Sequence, residues 1–148
     1  MTGPIRIATA LIDDDEGRIF LVRKRATHAF MQAGGKIADG EKPLEALLRE
    51  LDEELGFVPP LEDIRFLGVF EAAAANEPGA RIEAQAFHIR CGGQAFAVAA
   101  ELEEGMWIQV EDAARLPLAP LTRDHILPLA RCLQRHWALR HARPVRPS

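Results

Sequence analysis

Three glutamates, Glu50, Glu53 and Glu54, fall within five consecutive residues. Their spacing of i, i+3 and i+4 puts them on one face if the segment is helical. Like charges this close repel one another, and a divalent cation between them removes the cost. Clustered carboxylate oxygens are hard ligands and suit Mg²⁺ or Mn²⁺. Upstream lies Gly34-Gly35-Lys36, followed by Asp39-Gly40-Glu41. Paired glycines allow close approach of the backbone to a phosphate or a metal. A lysine beside them neutralises phosphate charge. A glycine loop, a cation and an acidic helix face, so near in sequence, read together as metal-plus-phosphate chemistry.

The element that must carry these acids is a helix over Pro43–Leu55. Leu44, Leu47, Leu48, Leu51 and Leu55 recur at helical spacing and form one apolar stripe. Pro43 suits the first helical position and Gly56 the residue just past the end. Pro59-Pro60 prevent continuation. On this reading the carboxylates lie opposite the leucines and point into the open, with Ala46 leaving room between them. Taken alone, they are also what the solvent face of an amphipathic helix looks like. The spacing over the whole segment decides between these readings.

From Gly35 the chain reads Gly, five residues, Glu41, seven residues, Arg49-Glu50-Leu51, one residue, Glu53-Glu54, one residue, Gly56-Phe57. This resembles the Nudix box at all nine defined positions, over residues 35–57. The resemblance implies an α/β fold, an α/β/α sandwich with a mixed sheet between helices. It implies hydrolysis of a nucleoside diphosphate linked to another group, X, by water attack at phosphorus with Mg²⁺ (or Mn²⁺ in its place). By matching positions, Glu50, Glu53 and Glu54 resemble the metal carboxylates, and the main-chain carbonyl of Gly34 or Gly35 is a further candidate ligand. Glu41 resembles the upstream glutamate that supports the loop. Arg49 resembles the arginine that orients a glutamate, and Glu53 lies within its reach. The base that takes the water's proton is Glu53 or an acid of a later loop, where Glu101 and Glu104 (with Glu103 between them) precede Trp107. Arg23 and Lys36 are similar to phosphate-contacting cations. Phe30 and Trp107 are candidates for base stacking, although their strand-like settings favour core packing.

Around this segment, Ile5–Ile12 and Arg18–Arg25 read as strands of a hairpin across Asp13–Gly17, and Phe30–Ala33 as a short strand. Arg65–Ala75, Arg81–Cys91 and Met106–Val110 read as further strands. Thr122 to about Arg140 reads as a closing helix with Thr122 as N-cap, kinked or delayed by Pro128. A basic tail follows over residues 141–148. The strand and helix order favours a mixed sheet with helices on both faces. The 148 residues suit a single domain spanning 1–148, and a net charge of −4 argues against nucleic acid as a partner. There is no long apolar run and no signal-like leader, so the expectation is a cytoplasmic protein with no membrane contact, its two cysteines reduced. For X, elimination favours a (deoxy)nucleoside triphosphate, with oxidised purines as natural candidates. ADP-ribose and nucleotide sugars stay open, as does a non-catalytic nucleotide-binding module. Family members are often dimers, which leaves a homodimer open here.

Overall fold

The computed structural model of the chain describes residues 3–92 and 94–141. The basic tail expected over 141–148 lies outside them, apart from the helical backbone of His141. Strand β1 (Ile5–Asp13) is the centre of the molecule. It runs parallel to β6 (Arg81–Arg90), from Ile5↔Ile82 to Asp13↔Arg90, and antiparallel to β2 (Arg18–Lys24) and β4 (Ala33–Lys36). Strand β3 (Phe30–Met31) flanks β2, and β5 (Ile64–Ala73) flanks β6, giving the order β3-β2-β1-β6-β5. Strand β7 (Leu102–Gln109) pairs antiparallel with β2 along its whole length, from Arg18↔Gln109 to Lys24↔Leu102. The sheet is mixed, as expected.

β1 is nearly continuously apolar because both of its faces are covered. Ala8, Ala10 and Ile12 join a core with Leu47, Leu51 and Leu55 of helix α1 (Pro43–Leu55). Ile7 and Leu11 join a second core with Leu127 and Ala130 of the closing helix. The sheet therefore separates two helical layers, each core closed by leucines that individually contribute about 1.5–3 kcal/mol when fully buried.

Helix α1 has the bounds the sequence predicts, with Pro43 opening it and Gly56 closing it in the left-handed region at φ 61°. Its buried side differs from the expected leucine stripe. The buried residues are Ala46, Leu47, Leu51, Glu54 and Leu55, while Leu44 and Leu48 are only half-buried. The helix is turned so that the acidic side borders the sheet. Ala46 is core, at 0% exposure, rather than a spacer between open carboxylates.

Two other expectations change. Strand β7 begins at Leu102, not Met106, because Leu102 is buried and Arg23↔Glu104 pairing extends the ladder. At the chain's end a π-helical turn, Thr122–Ile126, precedes α3 (Leu127–His141), with the four-residue helix α2 (Val110–Ala113) before both. The wide turn and the late start accommodate Pro128, which has no N–H to donate. Thr122 is not an N-cap: its side chain makes no capping bond and donates instead to Gln32.

Candidate active site

The glycine pair is not a flexible loop. Gly34 and Gly35 sit in β4, paired to Thr9 and Ala8 of β1. Gly34 has φ 145°, and a Cβ there would collide with the Ala8 carbonyl, so only glycine brings the two strands this close. At Gly35 a Cβ would lie 2.6 and 2.7 Å from the Glu50 carboxylate oxygens. The missing side chain is the space that Glu50 occupies.

Glu54 lies deeper. It is 2% exposed and accepts a 2.9 Å hydrogen bond from the Gly34 N–H. Burial raises its pKa to about 7; the neighbouring Glu50 and Glu101 push it the same way, while the Gly34 N–H and Lys24 oppose them.

Arg49 organises the other side. Its Nε and Nη2 donate to both oxygens of Glu41 at 2.9 Å, and Nη1 donates to Glu50 Oε1 at 2.9 Å. Nη2 also reaches the Lys36 carbonyl at 3.1 Å. Glu53, the partner expected from the sequence, is farther, at 3.7 Å. Glu41 closes its own turn by accepting from the Ala38 N–H at 2.9 Å. The Arg49 fork holds the Glu41 carboxyl down at about 2. Arg49 therefore orients Glu50 directly and is itself fixed by Glu41.

Part of this cluster borders a cavity of about 750 Å³. Its wall includes Gly34, Gly35, Lys36, Glu50 and Glu54, with Lys24 and Glu101 also facing it. Lys24 and Glu101 pair at 3.6 Å. Two expected residues are elsewhere. Arg23 and Glu104 pair with each other at 2.9 Å, and neither lines the cavity. Arg23 also donates to the Thr27 carbonyl at 2.7 Å. Strand alternation explains this: Val22 and Lys24 of β2 face the cavity, so Arg23 between them faces away. The sequence reading missed Lys24 and Arg25 as cavity cations, although the strand's period of two could have separated Lys24 from Arg23. Lys36 does line the cavity and is held at 3.6 Å from Glu77 in the turn between β5 and β6. Phe30 is core, 6% exposed, and Trp107 packs against Phe20 and Phe96 while donating to the Gln94 carbonyl, so neither borders the cavity.

The donors fit a hard divalent cation in part. Glu50 and Glu54 are carboxylates on the cavity wall, and a cation beside them would favour the ionised form that burial of Glu54 disfavours. Glu53 does not join them: its side chain is 54% exposed. Among the described residues no three acidic, histidine or cysteine side chains gather to hold an ion. The expected three-carboxylate cluster is thus reduced to two at the wall, because the turn of α1 that buries Glu54 carries Glu53 outward.

The NUDIX domain pattern matches residues 3–130. The chain belongs to the Nudix family. It is a Nudix hydrolase with the mixed-sheet fold of that family. Along 95% of its length it is 32% identical to a CTP pyrophosphohydrolase of Escherichia coli, covering 97% of that enzyme. It is 40% identical over 58 residues to an 8-oxo-dGTP diphosphatase of Haemophilus influenzae, a match that spans 36% of this chain and only 43% of that relative. Among solved structures, the Escherichia coli ORF135 protein is similar at a TM-score of 0.65 and 28% identity, over 98% of this chain and 96% of that one. The NUDIX domain of Shewanella oneidensis NrtR, solved with ADP ribose, has a TM-score of 0.73 at 19% identity over 90% of each chain, a likeness of fold. No helix among the described residues is long and apolar enough to cross a membrane.

Proposed function

We propose that this Nudix hydrolase cleaves a (deoxy)nucleoside triphosphate, with water, to a nucleoside monophosphate and pyrophosphate, using Mg²⁺. The observation that carries the reading is the cavity wall itself: two carboxylates seated against a glycine pair, with Lys24, Arg25 and Lys36 around the same space. A triphosphate chain needs both, cations for its oxygens and an acidic pocket for the metal that accompanies it. The full-length likeness to a CTP pyrophosphohydrolase supports this substrate class.

Glu50 and Glu54 would hold the ion, with the main-chain carbonyl of Gly34 or Gly35 beside them. Glu53 stays a candidate third ligand, since its exposed side chain turns without repacking the core. A divalent ion held there would supply positive charge for the phosphate oxygens and Lewis-acid assistance to the attacking water. Lys24 and Lys36 take up charge along the triphosphate. Glu101, facing the cavity, is the better placed of the two late-loop acids to accept the water's proton. Arg49 and Glu41 keep Glu50 in position. The protein works on a small nucleotide and needs neither nucleic acid nor a membrane.

The test is a panel of CTP, the other (deoxy)nucleoside triphosphates, 8-oxo-dGTP, ADP-ribose and nucleotide sugars, with Mg²⁺ and with EDTA, resolved by chromatography. Metal-dependent loss of a triphosphate supports the proposal. Turnover confined to ADP-ribose or a sugar nucleotide overturns the substrate class.

A further inference from the structure

Two exposed alanines hold a backbone conformation that their residue type disfavours. Ala26 and Ala100 have φ 60° and 54°, and no other non-glycine among the described residues lies in the left-handed region. There an L side chain crowds its own backbone, so the surroundings must impose the conformation. Both residues are exposed, so packing of their methyl groups is not the cause. Each lies in a tight turn, one just after β2 and one just before β7.

The two turns are bonded to each other and to the acidic helix. The Thr27 N–H donates to the Lys24 carbonyl at 3.3 Å and closes the first turn; the Leu102 N–H donates to the Ala99 carbonyl at 3.1 Å and closes the second. The Arg25 N–H joins them by donating to the Glu101 carbonyl at 2.9 Å. The Ala99 N–H donates at 2.9 Å to the main-chain carbonyl of Glu54, one of those that a helix end leaves without an intrahelical partner. Leu102 is buried and begins the ladder opposite Lys24. Glu101 is thus bracketed by fixed points, and its side chain lines the cavity, paired with Lys24 at 3.6 Å. The φ of Ala100 decides where the chain goes next, and Glu101 is the next residue. In the ordinary regions φ is about −60° or lower, and that rotation would turn the Glu101 peptide away from Arg25.

We propose that the left-handed turn at Ala100 is a positioning device for hydrolysis. Tethered to the Glu54 carbonyl on one side and to Arg25 on the other, it aims the Glu101 carboxylate into the cavity at a fixed offset from the ligand-bearing helix. This inference rests on the reading of Glu101 as the acceptor of the water's proton. Ala100 touches no reacting atom and acts through Glu101, so it is a positioning residue. Its strained backbone is held by the tethers on either side, and strain of this kind gathers where a group must be preorganised. Loss of aim slows proton transfer without changing the contacts that bind the nucleotide, so it appears in kcat rather than KM.

The experiment measures kcat and KM with Mg²⁺, on whichever nucleotide the wild type turns over fastest, for Ala100→Val, Ala100→Gly and Ala100→Asn, each checked by thermal melting. Glycine and asparagine accept the left-handed region, whereas a β-branched side chain resists it. In Ala100→Val kcat should fall by about tenfold with KM within about twofold of wild type, while Ala100→Gly and Ala100→Asn stay within about threefold in kcat. In a Glu101→Gln background, Ala100→Val should lower kcat no further, because the group it aims is already lost. A purely structural role would lower it again by the same factor. Folded Ala100→Val with wild-type kcat overturns the inference, as does an equal further fall in the Glu101→Gln background. If Ala100→Val does not fold, Ala100→Thr, β-branched but polar at this exposed position, is read in its place by the same two outcomes. Glu101→Gln with wild-type kcat defeats the reading of Glu101 itself, and the inference falls with it. Turnover of ADP-ribose instead of a triphosphate defeats only the substrate reading, and the same ratios measured on ADP-ribose decide the inference.

Discussion

Gly35→Ala separates a catalytic effect from a folding effect. A Cβ built on Gly35 lies 2.6 and 2.7 Å from the two Glu50 oxygens, against about 3.4 Å for an ordinary contact. The Glu50 carboxyl carbon lies closer still, at 2.4 Å, so the group must withdraw by about 1 Å. That movement also strains the 2.9 Å bond from Arg49 Nη1. The displaced group is the end of a flexible side chain beside a cavity, so the fold should lose no more than about 1 kcal/mol. Misplacement by about 1 Å of a group at the reacting centre costs on the order of a hundredfold in rate. The expected outcome is a drop of that size in metal-dependent kcat/KM, with a melting temperature close to wild type. Folded Gly35→Ala with kcat/KM within about threefold of wild type would refute the argument that Glu50 must occupy this space.

Gly34→Ala should behave oppositely, because its Cβ meets the backbone of Ala8 and Thr9, which cannot turn aside; melting should show a loss of several kcal/mol. In Arg49→Met, the Glu41 carboxyl should titrate up from about 2 toward the ordinary range, followed by carboxyl NMR, and activity should fall as Glu50 loses its donor. The buried Glu54 carboxyl gives a pH signature in metal-free protein. Its folded pKa of about 7 exceeds the ordinary 4.5, so the folded state binds the extra proton between those values. Stability should then fall as pH rises from about 4.5 to about 7 and level off above, by on the order of 3 kcal/mol, and Glu54→Gln should remove that slope in urea titrations. Glu101→Gln should lower kcat by about a hundredfold or more, whereas Glu104→Gln, which only releases Arg23, should leave kcat near wild type; the reverse order would exchange their roles.

The box was legible because its chemistry fixes both residue type and spacing. Pro43 and Gly56 bound the helix where local backbone rules put them. The rotation of α1 was not legible: Leu44 and Leu48 fit the stripe as well as Leu47 and Leu51 do, and only packing on β1 and β4 buries Glu54 and leaves Glu53 outside. Arg23 and Glu104 were misplaced for a related reason. A run such as Arg23-Lys24-Arg25 shows charge on both faces of a strand, and Leu102 to Gly105 resembles an acidic loop until β2 pairs with it. Thr122 has the residue type of a helix cap, yet its bond to Gln32 depends on a contact 90 residues away in sequence, which local pattern does not reveal.

The central claim concerns which bond is cut, and ³¹P NMR of the reaction with CTP tests it most directly. With Mg²⁺, the account predicts resonances of pyrophosphate and the nucleoside monophosphate growing together, and none when EDTA is present. Orthophosphate with a nucleoside diphosphate, or cleavage that persists in EDTA, would contradict it.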